Sequence, residues 1–251
     1  MWEPQLAAFA ARGWHAIAPH FRGFGVPGPG SDPDQTPDGT DLAPLGSDPV
    51  AVSAIDDYTG DIIDLLDTLH IPDAVVVGLS MGGYVALAMM RVAPRYLHGL
   101  VLADTRADAD TPEGAANRDR MAQLARERGV AVVIDELIQK LLGPTTRRDN
   151  PAVEATVRSL AAQNSVSGVV GALHALKTRP DSTPVLTSIH VPALIIAGED
   201  DAITPPTVAE GLHKGIAGST LAIIPHAGHL SSLENTDSFN DALAQFLEHR
   251  V

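Results

Sequence analysis

The sequence contains no cysteine. That absence excludes a disulfide scaffold, a thiolate nucleophile and a thiolate metal site. It also fits a reducing compartment, so the expected location is the cytoplasm. Basic residues are scarce as well: 17 Lys and Arg stand against 31 Asp and Glu, a formal charge of −14. A surface of that sign repels phosphate backbones and anionic lipid, so nucleic acid and membrane are not expected partners. No apolar run reaches the ~18 residues that a membrane span requires, and Met1-Trp2-Glu3-Pro4 has no signal-peptide pattern. Aromatic residues make up only 4% of the chain, but apolar residues as a whole make up 45%. The composition is that of a globular, soluble protein, and 251 residues suffice for one large domain with an insertion.

What is present alternates. Short apolar runs at His15–Pro19, Ala74–Gly78, Gly99–Ala103, Pro192–Ala197 and Thr220–Pro225 read as strands. Helical patterns at Ile55–Leu69, Met81–Val92, Pro206–Lys214 and Asp237–Glu248 follow most of them. Strand and helix in alternation predict an α/β protein with a doubly wound, mostly parallel sheet. Two stretches interrupt the pattern. Val26–Pro49 carries six prolines and reads as a long loop, placed near the site entrance by its exit from a strand's carboxyl end. Arg106–Pro184 has no strand pattern and reads as about four helices, near 112–128, 130–142, 151–163 and 166–178. The expected organisation is therefore a core of 1–105 and 185–251 with a helical cap of 106–184.

The motif that carries chemistry is Gly78-Leu79-Ser80-Met81-Gly82. It lies between the apolar run Ala74–Val77 and the helix Met81–Val92, the strand–turn–helix setting of a nucleophile elbow. Glycines at 78 and 82 remove side chains that would collide in so sharp a turn. The turn lifts the Ser80 hydroxyl onto a helix N-terminus, where the Met81 N–H faces a developing oxyanion.

On these residues the chain resembles the α/β-hydrolase fold superfamily, whose order is nucleophile, acid, histidine. Within that superfamily it looks most like small serine esterases and lactonases, including enol-lactonases and acyl-homoserine lactone hydrolases. The resemblance implies Asp201, in Gly198-Glu199-Asp200-Asp201, as the acid, with Asp200 its neighbouring rival and Asp104 a rival after an earlier strand. It implies His229, in Pro225-His226-Ala227-Gly228-His229, as the base, with His226 the weaker candidate. The roles would be those of a Ser-His-Asp triad acting on a small-molecule ester or lactone, with no cofactor and no metal. Carbon–carbon bond hydrolases and cofactor-free haloperoxidases use the same triad, and a non-catalytic relative would keep the fold alone.

Trp2-Glu3-Pro4, Gly13-Trp14 and Arg22-Gly23-Phe24-Gly25 extend the resemblance towards the N-terminus. Family members have more sheet before this point, and a His-Gly loop that supplies a second oxyanion donor; this sequence shows no such loop. The expectation is a start at an internal methionine, a truncation or fragment, or a substitute element, with an open sheet edge that invites aggregation or a homodimer. Gly23-Phe24-Gly25-Val26-Pro27-Gly28 matches a dinucleotide fingerprint, but Pro27 and Pro29 forbid the helix which that fingerprint needs.

Overall fold

A computed structural model of the chain describes residues 1–25 and 54–251. The Val26–Pro49 stretch lies outside the described residues. Four strands, β1 (Ala74–Leu79), β2 (Leu97–Ala103), β3 (Ala193–Gly198) and β4 (Thr220–Ile224), form one parallel sheet in the order β1-β2-β3-β4. Helices cover both of its faces, because each parallel connection must cross over the sheet.

Alternate residues of each strand enter different layers. Leu100 and Leu102 of β2 and Ile195 of β3 pack with α2 (Ile55–Thr68), α3 (Met81–Val92) and α9 (Pro206–Gly215). Val101, Ala103, Leu194 and Ile196 pack on the other face with α1 (Glu3–Ala10) and α11 (Thr236–Arg250). All six residues of β3 are buried, which explains why its sequence is an unbroken apolar run rather than an alternating one.

Between β2 and β3 the chain forms α4 (Pro112–Arg128), α5 (Val130–Leu141), α6 (Pro144–Asp149), α7 (Pro151–Ala162) and α8 (Val166–Thr178). The expected four helices match α4, α5, α7 and α8; the six-residue α6 between them is an addition too short for apolar periodicity to mark. The chain's exit into this insertion and its return are fastened together. Ser182 N–H donates to the Ala107 carbonyl (2.8 Å). Buried Arg179 donates to Asp110 Oδ1 (2.6 Å), the Asp108 carbonyl (3.0 Å) and the Leu176 carbonyl (2.8 Å). Its guanidinium lies 4.3 Å from the ring centre of Tyr84, one turn along α3 from Ser80. Burial works against the charge on Asp110, but hydrogen bonds from Arg118 and Arg179 outweigh it and hold the carboxyl below its usual range.

One expected strand is absent. His15–Pro19 is described but makes no ladder, and Trp14 and Ile17 are exposed. Composition makes an apolar run eligible for a strand, but pairing makes it one. β1 is the edge of the sheet on that side among the described residues, and His15–Pro19 does not pair with it. After the last strand a loop of residues 225–230 leads to the short α10 (Ser231–Glu234) and then to α11. No helix among the described residues is long and apolar enough to cross a membrane.

Candidate active site

Ser80 occupies the turn between β1 and α3 with φ +52° and ψ −112°, a conformation that costs a non-glycine residue about 1–3 kcal/mol. The neighbourhood over-determines it. Ser80 N–H donates to the Ala103 carbonyl (2.9 Å), extending the β1–β2 ladder. The Ser80 carbonyl accepts from Gly83 N–H (2.9 Å) and from Thr105 Oγ1 (2.8 Å). A Cβ at Gly78 would collide with the carbonyl of Gly82, and one at Gly83 would stand 2.5 Å from the Thr105 side chain. These two glycines let strand and helix meet tightly enough to present the serine.

Loops at the carboxyl ends of β3 and β4 bring the partners. Ser80 Oγ lies 2.8 Å from His229 Nε2, and His229 Nδ1 lies 2.8 Å from Asp201 Oδ2. Asp201 and His229 are each 3% exposed. A carboxylate only accepts, so Nδ1 carries the proton and the Nε2 lone pair faces the serine hydroxyl. Asp201 is itself anchored: Oδ1 accepts from the N–H groups of Ile203 (2.7 Å) and Thr204 (2.9 Å), and Oδ2 accepts from Thr204 Oγ1 (2.7 Å). Burial disfavours its charge, but the bonds from His229 and Thr204 prevail and hold its carboxyl below the usual carboxylate range.

The rival candidates separate by geometry. Asp200 donates its N–H to the Ala227 carbonyl (2.8 Å), and the bond to the imidazole comes from Asp201 instead. His226 is exposed, with its backbone N–H on Glu199 Oε2 (3.0 Å), and the imidazole bonded to Ser80 Oγ is that of His229. Asp104 is fully buried with φ +47°, and its oxygens face Gly198 N–H (2.8 Å), Ser231 N–H (3.3 Å) and the Ser231 hydroxyl rather than the histidine. It ties the ends of β2 and β3 to α10. Met81 opens the twelve-residue α3, and as the first helical residue its N–H has no intrahelical acceptor. Thr204, Thr105 and Ser231 are supporting residues that sequence reasoning missed. Thr204 alone left a trace, as the third residue after Asp201.

Burial pushes the Asp104 carboxyl up to about 7, more than His229 and the Ser231 and Gly198 hydrogen bonds pull it down. A carboxyl raised in the folded state binds its proton more tightly there than in the unfolded chain. Its contribution to stability is therefore full below about pH 4 and declines as pH rises to about 7. The gap from 3.8 to about 7 corresponds to on the order of 4 kcal/mol. Denaturant unfolding of wild type beside Asp104→Asn checks this: wild type should lose stability relative to the variant between pH 4 and 7, then stay level. A level difference over that window would mean that the fold holds Asp104 ionised.

Comparison with known proteins identifies the fold family. Residues 1–236 match the model of the alpha/beta hydrolase fold family. The chain is 31% identical over 245 residues to 3-oxoadipate enol-lactonase 2 of Acinetobacter baylyi, covering 97% of this chain and 82% of that one. Among solved structures it resembles a thermophilic esterase from Thermogutta terrifontis (35% identity, TM-score 0.77, 78% of this chain and 73% of that one). It also resembles an enol-lactonase from Burkholderia xenovorans (27% identity, TM-score 0.78, 99% and 86%). With the family model spanning nearly the whole chain, and an ordered Ser80–His229–Asp201 relay at the carboxyl edge of its parallel sheet, the chain belongs to the α/β-hydrolase fold family.

Proposed function

We propose that this chain hydrolyses a carboxylic ester or lactone through an acyl-enzyme formed on Ser80. The observation that carries the reading is the unbroken relay, 2.8 Å from Ser80 Oγ to His229 Nε2 and 2.8 Å from His229 Nδ1 to Asp201 Oδ2. In the first half, Ser80 Oγ attacks the carbonyl carbon while His229 Nε2 takes the hydroxyl proton. The negative charge on the carbonyl oxygen falls beside the start of α3, where the Met81 N–H and the helix dipole stabilise it. The intermediate collapses, His229 returns its proton to the departing oxygen, and an ester releases its alcohol. A lactone opens instead, and its freed hydroxyl remains on the acyl chain, so that hydrolysis releases a single hydroxy acid. His229 then takes a proton from water as it attacks the acyl carbonyl, and gives that proton to Ser80 Oγ as it leaves, restoring the free serine.

Asp201 holds the imidazole in the productive tautomer and stabilises the imidazolium. This chemistry calls for neither metal nor cofactor. Residues 106–184 would act as a cap on the core of 1–105 and 185–251, setting the size of acyl and leaving groups admitted. Enol-lactonase and esterase relatives support the substrate class. A panel of short-chain p-nitrophenyl esters and five- and six-membered lactones tests it. Turnover of at least one class, saturable and lost in His229→Ala, is the expected result. A folded chain inert on the whole panel would overturn the proposal.

A further inference from the structure

The segment carrying His229 is gripped from two sides. On the sheet side, a Cβ at Gly198, at the end of β3, would overlap the carbonyl of Gly228. On the opposite side lies the corner between α5 and α6. A Cβ at Gly143 would stand 2.9 Å from Gly228 N, and one at Gly228 would collide with Gly143 N. The backbone of Gly228 is thus sandwiched between Gly198 of the core and Gly143 of the insertion, at distances only glycine allows.

Hydrogen bonds follow the same division. His229 N–H donates to the Leu141 carbonyl at the end of α5 (3.0 Å). The next N–H, that of Leu230, donates to Glu234 Oε1 (3.0 Å). The other oxygen of that carboxylate, Oε2, accepts from Gly143 N–H (2.7 Å). One half-buried carboxylate therefore joins the residue after His229 to the corner that presses on the residue before it. The relay alone does not need these contacts, because Ser80 and Asp201 both come from the sheet.

We infer that Glu234 is a positioning residue, and that with the Leu141–Gly143 corner it forms a bracket through which the helical insertion sets the place of His229. The inference rests on the hydrolase reading above. An insertion that only covered the substrate would have no reason to supply an acceptor to the backbone of the base. Here a shift of the corner shifts His229, so the cap's seating and the base's alignment change together. Misplacing a reacting group by about 1 Å costs on the order of 10²-fold in rate.

The test uses the full chain and a short p-nitrophenyl ester, with active sites counted by burst titration and melting temperature recorded for each variant. Glu234→Ala removes the acceptor for both N–H groups, and Gly143→Ala drives a methyl group into Gly228. Each is expected to lower kcat about tenfold or more per folded site, with KM within about threefold of wild type. The double variant should fall little below the worse single one, because both disrupt one bracket. Glu234→Gln, which keeps the size and one acceptor, should lie between wild type and Glu234→Ala, and it carries the test if Glu234→Ala does not fold. Unchanged kcat with a lowered melting temperature, or fully multiplicative losses, would overturn the inference. Ser80→Ala serves as the control: if it retains activity, the hydrolase reading itself fails; if it is inactive while the Glu234 variants turn over normally, the bracket alone fails.

Discussion

Replacing Ser80 with alanine should lower kcat for ester hydrolysis on the order of 10⁶-fold, with His229→Ala giving a loss of similar size. In the proposed mechanism serine and histidine act as one unit. Without His229 the hydroxyl has no acceptor for its proton, and without Ser80 the base has nothing to activate in the acylation step. For that reason the double variant should be no slower than either single one, whereas independent contributions would multiply. A 10⁶-fold loss corresponds to about 8 kcal/mol of transition-state stabilisation. Folding should be little affected by Ser80→Ala, because only its hydroxyl is removed and the backbone bonds to Ala103, Gly83 and Thr105 remain. Full progress curves with the variant at high enzyme concentration measure the residual rate. A loss below about a hundredfold would show that another group attacks the carbonyl.

The second large effect concerns the choice of acid. Asp201→Asn should reduce kcat on the order of 10⁴-fold. The amide can turn its NH₂ towards Nδ1, which moves the ring proton to Nε2 and points a donor at Ser80 Oγ, where an acceptor is required. Asp104→Asn should change kcat less than about tenfold, because Asp104 faces Gly198 and Ser231 rather than the imidazole. Its neutral form, favoured below about pH 7, also resembles the amide in charge. Steady-state kinetics of the two variants side by side settles the matter. Equal losses would mean that the two carboxylates share the role, and a larger loss at Asp104 would reverse the assignment.

Much of this site was legible in the sequence because its parts are local. The Gly78–Gly82 elbow records a strand, a turn and a helix within a dozen residues, and the glycines mark where backbones touch. Asp201 and His229 each follow an apolar run, so their place at the carboxyl edge of a parallel sheet could be read from pattern. The choice of Asp201 over Asp200 rested on the family's spacing, and the side-chain bond to His229 now supports it.

What could not be read depends on residues distant in the chain. Asp104 meets Ser231 across 127 positions, and Glu234 meets Gly143 across 91. Nothing near Glu234 distinguishes it from a solvated helix carboxylate, and Gly143 reads only as a break between helices. His15–Pro19 shows the opposite limit. Its composition suits a strand, yet a strand exists only by pairing, and composition does not record whether a partner lies alongside.

The most direct measurement is covalent labelling with a fluorophosphonate, followed by intact-mass and peptide mass spectrometry. Phosphonylation requires a serine whose proton is being withdrawn. One adduct per chain is expected, on the peptide containing Ser80, lost in Ser80→Ala and strongly slowed in His229→Ala. A folded wild-type chain that takes no adduct, or carries it on another residue, would contradict the assignment of Ser80 as the nucleophile.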